Sequence, residues 1–115
     1  MRYMLLLHVQ ESGWGELSDE QRAAGMATYD AYSADLARAG AFIMTSPLAP
    51  SAGARSITTK GGRIVTMDGP YAETKEQVAG FYVIEVPDEA AALDWARKCP
   101  AAGHGTVEVR ALRER

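Results

Sequence analysis

The chain has 115 residues, of which 47% are hydrophobic and 23% charged, and its formal net charge is −3. This length fits one compact domain whose core needs no disulfide or metal to hold it. The acidic balance argues against a general nucleic-acid binder, which needs a basic surface to neutralise phosphates. Cys99 has no second cysteine to pair with. With no signal-like start and no apolar run of about 20 residues, we expect a cytoplasmic protein without a membrane span.

The N-terminal segment Arg2–Val9 is predicted to be a strand that is apolar on both of its alternating faces. Such a strand must be covered on both sides. The following residues, Glu11–Leu17, contain two glycines and are predicted to form a loop.

A long helix is predicted between Ser18 and Gly40. Ser18 and Gln21 have the spacing of a capping box, and a glycine commonly ends a helix. Helical spacing predicts one buried stripe along it, made of Met26, Tyr29, Ser33, Leu36 and Ala37.

The middle of the chain predicts a strand and then a hairpin. Ala41–Thr45 is strand-like and is followed by two prolines, which cannot donate to a strand ladder. Ala54–Thr59 and Arg63–Met67 flank Lys60-Gly61-Gly62. A Gly-Gly pair between two strand-like runs is a strong signal for a two-residue hairpin turn.

The C-terminal part predicts a central strand, a helix and an edge strand. Val78–Val86 is apolar on both faces apart from Glu85, so we place it in the centre of the sheet. Asp88 caps the second helix, which must end before Pro100. Thr106–Arg110 alternates polar and apolar residues, which is typical of a half-exposed edge strand.

This order of elements predicts an α+β fold, a ferredoxin-like split βαβ unit with an inserted β-hairpin. Two helices can cover only one face of its sheet. Because the first and central strands are apolar on both faces, the second face needs another cover, and a second copy is the simplest one. We therefore expect a homodimer with its sheets packed face to face.

The stretch from Met67 to Glu76 concentrates the candidate site residues. Asp-Gly-Pro supplies a sharp turn, and the polar residues behind it exceed what a turn needs. We predict a pocket for a small molecule here. Its candidate base is Asp68, its candidate proton shuttles are His8 and His104, and its candidate substrate-binding residues are Tyr71, Glu73, Lys75 and Tyr29.

Each candidate also has a structural interpretation. Asp68 can simply cap backbone amides in the turn, and Glu73 and Lys75 can belong to a solvated ion-pair network. His8 can be a hydrogen-bonded core or interface residue, and Tyr29 a packing residue. His8, His104 and Asp68 lack the spacing of a metal site, so no metal or other cofactor is predicted.

Three stretches resemble a known family: RYMLLLH, then DGPYAETKE followed by GFYVIEV, and finally CPAAGHGTVEVR. They are similar to the YCII-related family and specifically to its DGPF-type branch, which usually has Phe where this chain has Tyr71. The resemblance covers almost the whole chain and implies a dimeric α/β-barrel fold. A better-known branch is thought to use a His in the first helix and an Asp after the second. Tyr29 and Cys99 stand at those positions here, so that dyad is absent.

The resemblance also implies two kinds of function. At least one relative is a dehydrochlorinase that acts on a chlorinated hydroxyquinone, and DGPF-type proteins are often encoded beside extracytoplasmic-function sigma factors. The first hypothesis is therefore a cofactor-independent lyase or isomerase that transfers protons on a small cyclic or aromatic substrate. The alternative is a non-catalytic ligand-binding or accessory module linked to sigma-factor or stress regulation.

Overall fold

A computed structural model describes residues 1–114, which form six strands and three α-helices. In chain order these elements are β1 (Arg2–Val9), α1 (Glu11–Gly15), α2 (Asp19–Arg38), β2 (Phe42–Pro47), β3 (Arg55–Lys60), β4 (Arg63–Asp68), β5 (Gln77–Glu85), α3 (Glu89–Lys98) and β6 (Thr106–Ala111). No helix in the described part of the chain is long and apolar enough to cross a membrane.

The main sheet has four strands in the order β2-β5-β1-β6, and every neighbouring pair is antiparallel. This is the order of a ferredoxin-like split βαβ unit, so the predicted α+β fold is confirmed. β3 and β4 form a separate two-stranded sheet. Their turn residues Gly61 and Gly62 have φ values of 56° and 78°, as a two-residue type I′ hairpin requires.

One face of the main sheet packs against α2 and α3 to form the core. Its three largest fully buried side chains are Leu5 of β1, Leu36 of α2 and Ile84 of β5. The Tyr32 hydroxyl donates a hydrogen bond to the Trp95 carbonyl at 2.6 Å, which joins the two helices. The core therefore includes residues from strands and helices that lie far apart in the sequence.

The other face of the main sheet, the open face, is apolar along its centre. Met4 and Leu6 alternate with the buried residues of β1, and they lie opposite Val83 and Phe81 of β5. Met4, Leu6 and Phe81 remain partly exposed because α2 and α3 pack against the opposite side. One copy of the chain thus leaves an apolar surface in contact with water.

Two expectations about the first half of the chain were wrong. Residues 11–15 form the short helix α1 where we expected a loop. Met26 is 59% exposed and Ala37 is also exposed, whereas the buried residues of α2 are Tyr32 and Leu36. The physical reason is that the first half of α2 contributes no buried residue to the core. The Met26 side chain therefore has the predicted helical spacing but stays in contact with water.

The strand β2 continues further than predicted. It runs through Pro47, which pairs with Gly80 of β5. A proline fits there because β2 is an edge strand, and its outer side needs no backbone donor. Gly80 allows a close approach at this pairing, since a Cβ there would lie 3.0 Å from the Ser46 carbonyl oxygen and would push β2 away by a few tenths of an ångström.

Candidate functional site

A cleft of about 610 Å³ opens beside the end of β1. Its walls come from three segments: residues 10–12 after β1, residues 51–52 after β2, and residues between Asp68 and Gln77. We call residues 69–76 the central loop. The predicted site residues Asp68, Glu73 and Lys75 all line the cleft, so these three lie on one surface.

The central loop is held in place by side-chain hydrogen bonds. The Gln77 amide donates to the carbonyl oxygens of Ala72 at 2.9 Å and Thr74 at 3.2 Å. The Thr74 hydroxyl donates to the Glu76 carbonyl, and the Thr106 hydroxyl donates to the Glu76 carboxylate at 3.0 Å. These bonds attach the loop to the start of β5 and to β6, although the loop has no regular secondary structure.

Glu11 forms the opposite wall of the cleft. Its carboxylate accepts hydrogen bonds from the Ser51 backbone amide at 2.8 Å and from the Ser51 hydroxyl. The sequence gives little indication of this contact, because the two residues are 40 positions apart. The helix α1 that carries Glu11 was itself not expected.

Asp68 ends β4 at the base of the hairpin. Its carboxylate accepts a hydrogen bond from the Arg55 guanidinium at 2.6 Å, and its side chain is 88% exposed. Gly69 follows with φ of 91°, and its amide donates to the Ala54 carbonyl at 2.8 Å. An ion pair this exposed contributes at most about 1 kcal/mol to stability. Tyr71 is 87% exposed and does not line the cleft.

His8 forms a pair with Glu108 on the open face. The His8 Nε2 atom lies 2.9 Å from the Glu108 carboxylate, which also accepts from Arg110 at 3.3 Å. A shift in the β1–β5 register between Leu7 and His8 places His8 opposite Val78. Glu108 is not among the site residues predicted from the sequence. The sequence shows Glu108 as a polar residue in an alternating edge strand. Its pairing with His8 depends on the register of β1 and β6, which the sequence pattern does not specify.

The pair changes the acidity of Glu108. The hydrogen bond from His8 and then the one from Arg110 hold the pKa of the Glu108 carboxyl below its usual 4.5. A lowered pKa means that this interaction stabilises the fold fully above pH 4.5 and is lost as the pH falls through the folded-state pKa.

We expect His8→Leu to raise the pKa of Glu108, because it removes the larger of these two hydrogen bonds. Carbon-detected NMR titration of the side-chain carboxyl measures this pKa directly. Arg110→Met is the matched comparison and should raise the pKa by less. An unchanged Glu108 pKa in His8→Leu would contradict the pairing.

The remaining candidates lie outside the cleft lining. His104 is exposed after the short 3₁₀ turn Pro100–Gly103. Tyr29 is partly buried against the core on the helix side, and its pKa is raised to about 12, mainly by burial and further by Cys99 and Tyr82. Burial also raises the pKa of the Cys99 thiol, which does not favour a nucleophilic thiolate.

The described residues do not concentrate metal ligands. Within residues 1–114, no three His, Cys, Asp or Glu side chains come together in a group that could hold a metal ion. Charged side chains lie on two surfaces: the cleft, which Glu11, Asp68, Glu73 and Lys75 line, and the His8 end of the open face. The Thr106 hydroxyl, opposite His8 on β6, donates to the carboxylate of Glu76 in the central loop.

Comparison with known proteins shows the family to which this arrangement belongs. The chain is 35% identical to an uncharacterised protein, R00369, of Rhizobium meliloti strain 1021, over 97% of this chain and 92% of that protein. Its fold is similar to that of 5-chloro-2-hydroxyhydroquinone dehydrochlorinase (TftG) from Burkholderia phenoliruptrix AC1100, solved with 2,5-dihydroxybenzoquinone. That likeness has a TM-score of 0.56 at 13% identity and covers 100% of this chain and 96% of that one. The model of the YCII-related domain matches residues 1–115, and the chain belongs to that family.

Proposed function

We propose that this protein is a cofactor-independent lyase or isomerase that transfers a proton on a small cyclic or aromatic substrate. The substrate would lie between the cleft at Asp68 and the central loop, the DGPYAETKE segment, and the His8 end of the open face. The observation that carries the proposal is the His8–Glu108 pair, with its 2.9 Å hydrogen bond. A carboxylate that orients an imidazole through a hydrogen bond is a recurring arrangement for general acid–base catalysis.

His8 is assigned the role of the proton-transferring group. In an isomerisation, it would take a proton from a carbon next to a carbonyl and return it at another position. In an elimination of HX, it would take one proton while the halide leaves with its bonding electron pair. Both reactions balance without an oxidant or reductant. The register shift beside His8 supports this role, because such irregularities often direct side chains next to active sites.

Lys75 is assigned to the negative charge that develops on the substrate oxygen. It lines the cleft and has no salt-bridge partner within residues 1–114. A free ammonium attracts phenolate and enolate oxygens. Asp68 and Glu73 line the same cleft and are further candidate bases. His104, Tyr71 and Tyr29 lie outside the cleft lining and are assigned no step in the reaction.

The substrate class follows by analogy with the structural neighbour. Its name describes a dehydrochlorinase acting on a chlorinated hydroxyhydroquinone, and it binds 2,5-dihydroxybenzoquinone. At 13% identity this likeness supports a shared scaffold and leaves the chemistry to the residues of this chain. A hydroxylated quinone-like ring carries acidic hydroxyls, which suit one ammonium and one imidazole.

The second candidate function is a non-catalytic ligand-binding or accessory module. The observation that favours it is the Asp68–Arg55 pair. The Asp68 carboxylate is already engaged by a guanidinium, so the cleft can bind a ligand without using Asp68 as a base. In this case Lys75 would contribute affinity, and the resemblance to DGPF-type proteins suggests a role in sigma-factor or stress regulation.

We also propose that the protein acts as a homodimer in which a second copy covers the open face. The support is the apolar centre of that face, where Met4, Leu6 and Phe81 are only partly buried. Contiguous apolar surface of this kind commonly marks an interface between protein chains. His8 lies on the same face, so a second copy would also shield the His8–Glu108 pair from water.

Two probes test the catalytic proposal. We expect the protein to bind 2,5-dihydroxybenzoquinone in calorimetry and to release chloride from 5-chloro-2-hydroxyhydroquinone, measured with a chloride electrode. His8→Leu should reduce the rate of chloride release by about 100-fold or more, the usual contribution of a positioned acid–base group. Lys75→Met should weaken binding of the quinone.

The control is Asp68→Asn, which keeps the size of the side chain and removes its charge. Loss of turnover with binding and folding intact would assign the base role to Asp68 in place of His8. Binding of the quinone without chloride release, in the unaltered protein, favours the non-catalytic module. If the protein neither binds the quinone nor releases chloride, the proposed substrate class is wrong.

A further inference from the structure

The hairpin of β3 and β4, residues 55–68, stands apart from the rest of the fold, and we call it the arm. Within residues 1–114, its two strands pair only with each other. An isolated two-stranded hairpin is marginally stable in water, so an arm of this kind needs a surface to pack against. The chain has principal extents of 49 × 44 × 18 Å, which describe a flat shape.

One face of the arm is unusually apolar for an exposed hairpin. Ile57 is 69% exposed and Ile64 is 79% exposed. Strand alternation and the pairing of Ile64 with Thr59 place both isoleucines on the same face of the arm. Two large aliphatic side chains on one face of an exposed hairpin form a surface suited to another protein chain.

The surface area of the chain indicates how much is left uncovered. The accessible surface is 8018 Å² for a chain of 12.4 kDa. A compact monomer of that mass exposes about 6,100 Å², so this chain exposes about 1,900 Å² more. A stable interface between two proteins buries about 800 Å² on each partner. The excess is therefore enough for the open face and the arm together to be covered by a second copy.

The charge of the arm also favours a second copy. The arm carries Arg55, Lys60 and Arg63 against the single carboxylate of Asp68, which gives it a net charge of +2. Because the whole chain carries −3, the remainder carries −5. A basic arm is thus attracted to the acidic body of another copy, and this attraction favours association of like chains.

We propose that the arm packs its Ile57 and Ile64 face onto a second copy of this chain. The inference rests on the proposed homodimer, and it assigns part of the interface to a segment outside the main sheet. Asp68 lies at the base of the arm and lines the cleft. Docking of the arm would therefore also fix one wall of the cleft, which connects assembly with the candidate site.

The test replaces both isoleucines with threonine, which keeps β-strand propensity and removes the apolar surface. Sedimentation velocity over a dilution series should show the unaltered chain at twice 12.4 kDa. The Ile57→Thr and Ile64→Thr double variant should form a weaker dimer, with a dissociation constant higher by about 10-fold or more. Met26→Thr removes an apolar side chain that is 59% exposed on α2 and should leave the dimer unchanged.

A spin label at Ile64→Cys provides a second measurement that does not depend on the double variant folding. Cys99 is buried and should stay unlabelled. An immobilised spectrum at high protein concentration that becomes mobile on dilution supports the arm contact. A label that is mobile in the dimer overturns it. A double variant as dimeric as the unaltered chain also overturns it, while the homodimer stands. A strictly monomeric unaltered chain overturns both proposals.

Discussion

Replacing Gly105 by alanine is expected to destabilise the fold by about 1–3 kcal/mol, the usual cost of forcing extra volume into a packed site. A Cβ at this position would lie 2.2 Å from the carbonyl oxygen of His8 and 3.0 Å from Cγ1 of Val9. Real contacts of that length do not occur, and the nearer atom belongs to backbone. The entry to β6 would have to move away from β1.

The matched control is Gly103→Ala in the same turn. A Cβ at Gly103 meets no atom within 4 Å, and neither glycine has a positive φ. We expect the unfolding free energy of Gly103→Ala, measured by urea denaturation, to stay within about 0.5 kcal/mol of the original. Equal stability of the two variants would show that β6 does not approach β1 as closely as the structure indicates.

Gly105→Ala also tests the candidate site through the backbone. The clash is with the carbonyl of His8 itself, and Thr106 pairs with His8 across the sheet. A shift of β6 would therefore change the distance between His8 and Glu108. We expect the lowered pKa of Glu108 to return toward its usual value in Gly105→Ala and to remain low in Gly103→Ala.

The helix starts and turns of the fold follow from local patterns that can be recognised in the sequence. The Ser18 and Gln21 capping box is present in both directions, and Asp88 caps α3 by accepting from the Ala91 amide. The positive φ of Gly61 and Gly62 allows the hairpin turn that Gly-Gly predicts. Such features depend on neighbours within four residues, which is why helix starts and turns could be predicted. The apolar stripe of α2 depends on what it packs against, and there the prediction failed at Met26.

The candidate site depends on contacts over longer distances. The His8–Glu108 pair joins residues 100 positions apart, and its geometry follows from the register of β1 and β6. A shift of one residue would turn Glu108 to the other face of the sheet. Side-chain chemistry and the predicted turn and strand identified Asp68 and His8 as candidate site residues. It could not indicate that His8 pairs with Glu108 while Asp68 pairs with Arg55.

Replacing Leu6 by lysine is expected to weaken the proposed homodimer by at least about 100-fold. Leu6 lies at the centre of the open face, opposite Phe81 on β5 and Glu108 on β6. The neighbouring Glu108 carboxylate is already paired with His8 and Arg110, so a lysine at position 6 has no free carboxylate to pair with. A buried charge without its own partner costs about 3–5 kcal/mol, and a symmetric dimer contains the substitution twice. A lysine here remains compatible with the monomer, because the open face is then in contact with water.

Sedimentation velocity across a dilution series measures the dissociation constant, and circular dichroism checks that the variant is folded. Met26→Lys introduces the same charge on α2, at a side chain that is already 59% exposed, and should leave the dimer intact. A folded Leu6→Lys that dimerises as tightly as the original chain would exclude the open face as the interface. The two substitutions differ in location and share their chemistry. A loss of dimer in Leu6→Lys alone would therefore assign the interface to the apolar sheet face, where His8 also lies.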